Sequence, residues 1–176
     1  MHLISSCFLL SSMIIIVVSE LNSNCPKLGP NLSFNSQQHF GVWYAVRGIE
    51  HTHQLKNKVK RNKLCPQVII TNKSNNIWEF EWTMNETRRF KLKEDPNNPG
   101  RLTKMVKGET IGQMQITTLP GVNNIWAATI CKSDDTRVAS AILSSTPVFK
   151  KEQVEKLTTT LHNQGLNTDY VYDRCD

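Results

Sequence analysis

The sequence predicts an all-β protein: an eight-stranded antiparallel up-and-down β-barrel with one carboxyl-terminal α-helix packed on its outside. Three observations support this prediction. Short segments of alternating polarity recur at intervals of about ten residues, the segments that join them are too short for parallel crossovers, and a helical period occurs near the end of the chain. Eight strands closed into a barrel have no free edges and enclose a space that can hold one small ligand.

The first half of the predicted barrel contains its clearest strand. The first four strands are predicted at residues 43–49, 68–70, 77–84 and 89–93, with a turn at the Asn-rich residues 72–76. In the third strand, Trp78, Phe80 and Trp82 fall on one face of an extended chain, and two glutamates fall on the other. In the fourth strand, Phe90 and Leu92 alternate with cations in the same way. These two strands therefore present an aromatic face to the interior.

Four more strands and a helix complete the predicted fold. The strands are predicted at residues 102–107, 110–118, 125–132 and 137–144. The period then becomes helical over about residues 150–164, where Val154, Leu157 and Leu161 form one apolar stripe between a proline and a glycine. An amphipathic helix of this kind packs its stripe against a surface that has already formed. Residues 168–172 can add one more short strand.

The amino-terminal segment predicts export. Residues 1–19 contain one apolar run and no acidic residue, and the segment is too short to span a membrane with ordinary flanks. A secretory signal peptide, cleaved between residues 19 and 23, is therefore favoured over a membrane anchor. Residues 20–176 would then form a single domain, which suits the usual scale of ~100–200 residues per domain.

The cysteines and the glycosylation sequons agree with export. Removal of the signal peptide would also remove Cys7, which leaves an even set of four cysteines and predicts two disulfides with three possible connectivities. The remaining cysteines are Cys25, Cys65, Cys131 and Cys175. Three Asn-x-Ser/Thr sequons, at Asn31, Asn72 and Asn85, are candidate glycosylation sites.

Residues 40–44, Phe-Gly-Val-Trp-Tyr, open the first predicted strand. Through Gly41 and Trp43 they resemble the Gly-x-Trp signature that closes the barrel in lipocalins. The upstream Cys25-Pro26 is similar to the start of secreted arthropod lipocalins of the bilin-binding and insecticyanin type, and of apolipoprotein D. Residues 141–147, together with the helix that follows, are similar to the last barrel strand and packed helix of the family. The resemblance covers nearly all of the chain after the signal peptide.

Two departures mark this chain as an outlier of that family. Lipocalins commonly carry a Thr-Asp-Tyr-like turn before the seventh strand, where this chain has Leu-Pro-Gly-Val-Asn-Asn at residues 119–124. They also carry an Arg or Lys after the eighth strand that packs on the signature tryptophan. Here residues 144–146 are Ser-Ser-Thr. The resemblance therefore predicts the fold, but it does not carry a subfamily's function.

The resemblance also implies a disulfide pairing. In the arthropod members, the amino-terminal cysteine pairs with one on the seventh strand, and one near the second strand pairs with the carboxyl-terminal tail. The pairs in this chain would be Cys25–Cys131 and Cys65–Cys175, each closing a long loop for about 3–5 kcal/mol in the chain-entropy estimate. The alternative is a nucleophilic Cys65, as in a prostaglandin-isomerising lipocalin. It is disfavoured because Cys65 has an expected partner and no evident base beside it.

A cavity inside the barrel is the candidate binding site. Its candidate lining residues are Trp78, Phe80, Trp82, Phe90, Leu92, Met105, Met114 and Trp126. The alternative for some of them is that they only fill the closed end as core, as we expect for Trp43. A mostly apolar pocket of this type suits a fatty acid, sterol, retinoid or tetrapyrrole, and nothing in the sequence selects among these.

The net charge of +6, from 21 Lys and Arg against 15 Asp and Glu, is concentrated in one segment. Its cations are Lys56, Lys58, Lys60, Arg61 and Lys63. The resemblance implies that this segment is the long first loop over the barrel mouth. There it would steer an acidic ligand, or dock on an anionic surface or a protein receptor. The alternative is a solvated, mobile loop, and we expect no nucleic-acid binding because no recognition motif is present.

Two functions of different classes follow. The first is a secreted carrier that binds one small hydrophobic molecule reversibly in the cavity. The alternative is a secreted interaction, signalling or inhibitor protein that acts through its loops, with a filled or vestigial cavity. The catalytic motifs that we sought are missing from the sequence, and the pair His51-x-His53 is better interpreted as part of a solvated loop than as a metal site. We therefore expect a monomer that is not an enzyme and holds no cofactor or metal.

Overall fold

The computed structural model describes residues 26, 28, 31, 34–52, 65–74, 76–107, 109–132 and 137–175. The predicted signal peptide, Cys25, His53 and the basic segment at residues 56–63 lie outside the described residues. Within the strands, the side chains of Met105, Val106, Glu109, Thr110 and Lys132 also lie outside the description.

Eight barrel strands, a helix and a short ninth strand occur in the order that the sequence predicts. In chain order, the described elements are a 3₁₀-helix (Ser36–His39), β1 (Gly41–Glu50), β2 (Gln67–Ser74), β3 (Ile77–Thr83), β4 (Thr87–Glu94), β5 (Arg101–Val106), β6 (Glu109–Leu119), β7 (Val122–Lys132), β8 (Val138–Ser144), α1 (Lys151–Asn163) and β9 (Tyr170–Asp173). The prediction is wrong at residues 72–74, which continue β2, because Asn72 pairs with Trp78 of β3. The reversal uses Asn76, whose φ of 63° lies in the left-handed region that asparagine tolerates.

The barrel closes because β1 pairs along both of its edges. One edge pairs with β8 over residues 44–50. The opposite edge is divided between two strands, since residues 41–44 pair with β2 and residues 47–50 pair with β9. The remaining strands pair in chain order from β2 to β8, each antiparallel to the next. The predicted up-and-down barrel is therefore confirmed.

Alternate residues of the strands pack on the two sides of the barrel wall. The buried interior cluster consists of Trp43, Ala45, Val68, Ile70, Trp78, Phe80, Leu92, Leu102, Met114, Ile116, Trp126, Ala128 and Leu143. On the outside, Val154, Leu157 and Leu161 of α1 are completely buried in a second cluster that includes Ile49 and Ile142. Full burial of a leucine side chain contributes roughly 1.5–3 kcal/mol. The predicted apolar stripe thus fixes the helix to the outer surface.

The disulfide Cys65–Cys175 is confirmed. It joins residues 110 positions apart, with their Cα atoms separated by 4.6 Å. It lies between β2 and β9, which pair with successive parts of the same edge of β1. Because Cys65 is in this bond, it has no free thiol to act as a nucleophile. Cys131 is also disulfide-bonded, but Cys25 lies outside the described residues, so the pairing of these two cysteines stays a prediction.

Arg47 joins α1 to β9 on the outside of the barrel. Its Nε donates to Asp173 Oδ1 at 2.6 Å, and its Nη1 lies 2.9 Å from Glu155 Oε1 and donates to Thr158 Oγ1 at 3.2 Å. Burial by itself would lower the pKa of Arg47, but the hydrogen bonds to Asp173 and Glu155 raise it. The guanidinium therefore remains charged while it holds the last two elements in place. Within the described part of the chain, no α-helix has the length and apolar character needed to cross a bilayer.

Candidate functional site

The closed end of the barrel is sealed by aromatic rings beside the 3₁₀-helix. The indole N–H of Trp43 donates to the carbonyl oxygen of His39 at 2.9 Å, and its ring meets Trp126 edge-on with centroids 5.5 Å apart. The His39 ring also lies edge-on to Trp126, at 5.1 Å. Burial lowers the pKa of His39, although a hydrogen bond to Asn35 acts in the opposite direction. Trp43 is thus held by Trp126 and the 3₁₀-helix, as expected for a residue that fills the closed end.

A column of stacked rings rises from the closed end along β3 and β4. Phe34 stacks on Trp78 with centroids 5.9 Å apart, Trp78 on Phe80 at 6.1 Å, and Phe80 on Phe90 at 5.2 Å. The indole N–H of Trp78 donates to Glu94 Oε2 at 3.1 Å. Because Trp78 and Phe80 are almost fully buried, this column fills the lower part of the barrel and forms the floor beneath the open part.

A cavity of about 780 Å³ occupies the open end of the barrel. Its apolar wall is formed by Trp82, Met84, Phe90, Leu92, Ile111, Met114 and Ile130. Ligand cavities in proteins commonly measure about 300–1,000 Å³ and are mostly apolar with a few polar groups. The volume and the wall of this cavity are therefore those of a small-molecule site.

The rim of the cavity is cationic. Its basic residues are Arg88, Lys104, Arg137 and Arg174, and Glu86 is the acidic residue among the described groups that line it. The Lys104 ammonium lies 5.9 Å from the centroid of the Phe90 ring, so it stands directly above the apolar wall. An apolar wall below several cations is an arrangement that favours a ligand with one apolar and one anionic end.

The structure divides the predicted lining residues between the cavity and the core. Trp82, Phe90, Leu92 and Met114 line the cavity, and Leu92 and Met114 are also members of the interior cluster. Trp78, Phe80 and Trp126 belong to that cluster without bordering the cavity, and Met105 lies in β5 with its side chain outside the description. The alternation of side chains identifies the inward face of a strand, but it does not give the depth of a residue along the barrel. The candidates near the closed end of their strands are therefore core residues.

The cationic rim was missed by the sequence prediction. A signal for Arg88 was present, because it precedes Phe90 and Leu92 at the two-residue period of the inward face. The same period relates Lys104 to the buried Leu102. Arg174 had no comparable signal, since it reaches the cavity only through the pairing of β9 with β1.

The prediction of a solvated loop is wrong for His51, which is buried. Its Nδ1 lies 2.5 Å from the carbonyl oxygen of Asn167, its Nε2 lies 2.6 Å from Ser140 Oγ, and Ser140 Oγ lies 2.7 Å from Thr129 Oγ1. Burial lowers the pKa of His51, although the hydrogen bond to Asn167 and the charge of Glu50 oppose the shift. This network joins β1 to β7, β8 and the segment before β9. Among the described residues, no group of three His, Cys, Asp or Glu side chains is placed to hold a metal.

The sequons differ in exposure. Asn72 and Asn85 are exposed, and Asn85 lies beside the mouth of the cavity. Asn31 is half-buried, and its side-chain nitrogen donates to Thr118 Oγ1 at 2.8 Å. Asn72 and Asn85 are therefore the more accessible acceptors for a glycan.

Comparisons with known proteins bear on the fold. No protein-family profile and no curated protein sequence matches the chain. Among solved structures, the chain is similar to the solution NMR structure of lipocalin 12 from rat epididymis, with a TM-score of 0.66 and 14% sequence identity. The match covers 84% of this chain and 89% of that chain. The chain therefore has the lipocalin fold, a closed eight-stranded barrel with one helix packed on the outside.

Proposed function

We propose that the protein is a secreted member of the lipocalin family that binds one small hydrophobic molecule reversibly inside its barrel. The observation that carries this proposal is the cavity of about 780 Å³, which is walled by apolar side chains and closed below by the aromatic column. The ligand classes that suit such a wall are fatty acids, sterols, retinoids and tetrapyrroles.

Two further features support export. The chain begins with the short apolar segment described above, and the disulfide Cys65–Cys175 is of a kind that persists mainly in oxidising compartments. The relation to arthropod lipocalins is part of the proposal and rests on the sequence motifs alone. We expect the protein to act as a monomer and without covalent chemistry.

The alternative, an interaction or inhibitor protein with a filled barrel, is less well supported. A filled barrel would extend the aromatic column to the mouth, whereas the rings of Trp82 and Phe90 border open space. Binding of a protein partner through the basic segment at residues 56–63 is compatible with a carrier function and is not required by it.

A cavity-blocking variant tests the carrier proposal. Ile130 lines the cavity and is 37% exposed, so Ile130→Trp would occupy the ligand's space without forcing a large ring into the packed core. The matched control is Val148→Trp, because Val148 is 85% exposed and lies after β8, away from the cavity. The wild-type protein and both variants, expressed through a eukaryotic secretory pathway, are examined by native mass spectrometry and by titration with ligands of the four classes.

We expect the wild type and Val148→Trp to bind at least one of these compounds at 1:1 stoichiometry, and we expect Ile130→Trp to lose at least tenfold in affinity. Equal binding by all three proteins would place the ligand outside the barrel. Failure of the wild type to bind or retain any compound would count against a carrier.

A further inference from the structure

We infer that the ligand is an amphipathic anion, with an apolar body in the barrel and one anionic group held by Arg174 and Lys104 at the rim. This inference rests on the proposed function, because it names the class of molecule that the same cavity takes. The anionic group would be a carboxylate, sulfate or phosphate, since each of these accepts charge-assisted hydrogen bonds from Arg and Lys.

The charges at the rim do not balance. Among the described residues, four cations line the cavity together with Glu86. Arg137 is already engaged by Glu50, through Nη2–Oε1 and Nε–Oε2 contacts of 2.6 and 3.2 Å. Arg88 lies 3.8 Å from Glu86, and both of these side chains are largely exposed. Even when the carboxylates of Glu50 and Glu86 are counted against the four cations, the described part of the rim retains a positive excess.

Lys104 and Arg174 are the cations that carry this excess. Among the described residues, neither Lys104 nor Arg174 forms an ion pair. Lys104 lies above the Phe90 ring. Arg174 donates to two neutral acceptors, the Tyr172 hydroxyl oxygen at 3.1 Å and the Met84 sulfur at 3.4 Å. A ligand anion at the rim would give each of these cations a charged partner that the described residues do not supply.

The fold places Arg174 at the cavity through its contact with Tyr172. In the pairing of β9 with β1, Tyr172 stands opposite Gly48. The Tyr172 ring lies over the Gly48 backbone, where a Cβ would collide with it. The Arg174 guanidinium stacks on the same ring at 4.9 Å from its centroid. Glycine at position 48 therefore lets the tyrosine turn inward, and the tyrosine supports the arginine at the cavity.

The backbone on either side of Arg174 is also fixed. Its N–H donates to the carbonyl oxygen of Val46 at 2.9 Å, and the next residue, Cys175, is bonded to Cys65. The arginine is thus held by the end of the chain against the first strand, while its side chain reaches Met84 in the β3–β4 turn. A cation that is positioned in advance loses less conformational freedom when it binds an anion.

Matched ligand pairs test this inference on the full-length, disulfide-bonded protein. Hexadecanoic acid is compared with hexadecan-1-ol, and retinoic acid with retinol, by calorimetry at low ionic strength, and hexadecylamine serves as the cationic probe. We expect at least one acid to bind about tenfold or more tightly than its alcohol, with an advantage that shrinks as salt is added. Hexadecylamine should bind more weakly than either hexadecanoic acid or hexadecan-1-ol.

Variants at the rim then identify the anion-binding groups. Arg174→Gln should remove most of the preference for the acid and leave the affinity for the alcohol within about twofold, and Arg174→Lys should restore part of it. Gly48→Ala keeps every charge but displaces the Tyr172 ring, so it should lower the affinity for the acid and leave the affinity for the alcohol unchanged. The matched control is Arg89→Gln, because Arg89 lies on the outer face of β4, 2.7 Å from Glu81. This variant should bind acid and alcohol with the affinities of the wild type.

The outcomes separate the two proposals. If neither acid binds more tightly than its alcohol, or if the amine binds as tightly as hexadecanoic acid, the inference is wrong and the carrier function stands. Equal weakening of acid and alcohol by Arg174→Gln would also overturn the inference, because it would indicate a structural role for the arginine. If no compound of any class binds the wild type, the carrier function fails, and the inference fails with it.

Discussion

Removal of the Cys65–Cys175 disulfide is the perturbation whose energetic effect can be worked out most directly from the fold. The two cysteines are 110 residues apart in sequence. In the chain-entropy model, a cross-link over a loop of this length lowers the conformational entropy of the unfolded chain. It thereby stabilises the folded state by about 5 kcal/mol. Cys131 is in another disulfide, which already restricts the unfolded chain, so we expect the loss to be about 3–4 kcal/mol.

The assay is urea unfolding of the double variant Cys65→Ala/Cys175→Ala, monitored by tryptophan fluorescence at neutral pH. With a slope of about 2 kcal/mol per M for a chain of this size, the loss corresponds to a midpoint lowered by roughly 1.5–2 M. Cys175 is buried, and the double serine variant is therefore the companion measurement. It should be less stable than the alanine variant, because it also buries a hydroxyl group.

A second readout in the same variant is local. The disulfide fixes β9 to the barrel. The amides of β9 and of Arg174, whose N–H donates to the Val46 carbonyl oxygen, should therefore exchange with solvent faster in the variant than in the wild type, and by a larger factor than the amides of β6 and β7. A midpoint lowered by less than about 0.5 M, with unchanged exchange in β9, would refute the reasoning. That result would mean that strand pairing and Arg47 suffice to hold the end of the chain.

Two other predictions concern stability. Leu157→Ala should lower the free energy of unfolding by about 2–5 kcal/mol, since Leu157 is completely buried between α1 and the barrel. Leu157→Met should lower it by less than about 1.5 kcal/mol. If the alanine variant were as stable as the wild type in thermal unfolding, the assigned helix packing would be contradicted. Burial lowers the pKa values of His39 and His51 in the folded state, so the unfolded chain binds protons at a higher pH than the folded protein does. The stability that these two histidines contribute is therefore present above about pH 6.5 and is lost as the pH decreases. The loss should reach up to about 1.4 kcal/mol per pH unit for each histidine. Urea unfolding between pH 7.5 and 5.0 should therefore show a shallower pH dependence in His51→Gln than in the wild type, and parallel curves would contradict the role given to this imidazole.

Local patterns predicted the strands well, because each strand carries its own evidence. In β3, the alternation of Trp78 and Phe80 with Glu79 and Glu81 identifies the inward and outward faces, and both glutamates lie outside in ion pairs with β2 or β4 cations. The helix was predictable for the same reason, since Leu157 and its neighbours share one stripe. The fold class follows from such local signals together with the short connections.

The site was less predictable, because it depends on contacts between distant parts of the chain. A period of two residues shows that Phe80 and Phe90 face inward, but it does not show that Phe80 lies in the core and that Phe90 borders the cavity. Burial of His51 depends on Asn167 and Ser140, which no local pattern relates to it. The cationic rim likewise requires the register of β9 against β1, which brings Arg174 to the mouth.

The divided edge of β1 has a consequence for the order in which the protein is made. Arg47 of the first strand contacts Asp173 of the last, 126 residues later, and β8 must also be present before the ring can close. Half of β1 therefore has no partner on either side until nearly the whole chain has left the ribosome. Contacts over such separations form slowly, and unpaired strands in the interval are prone to aggregate.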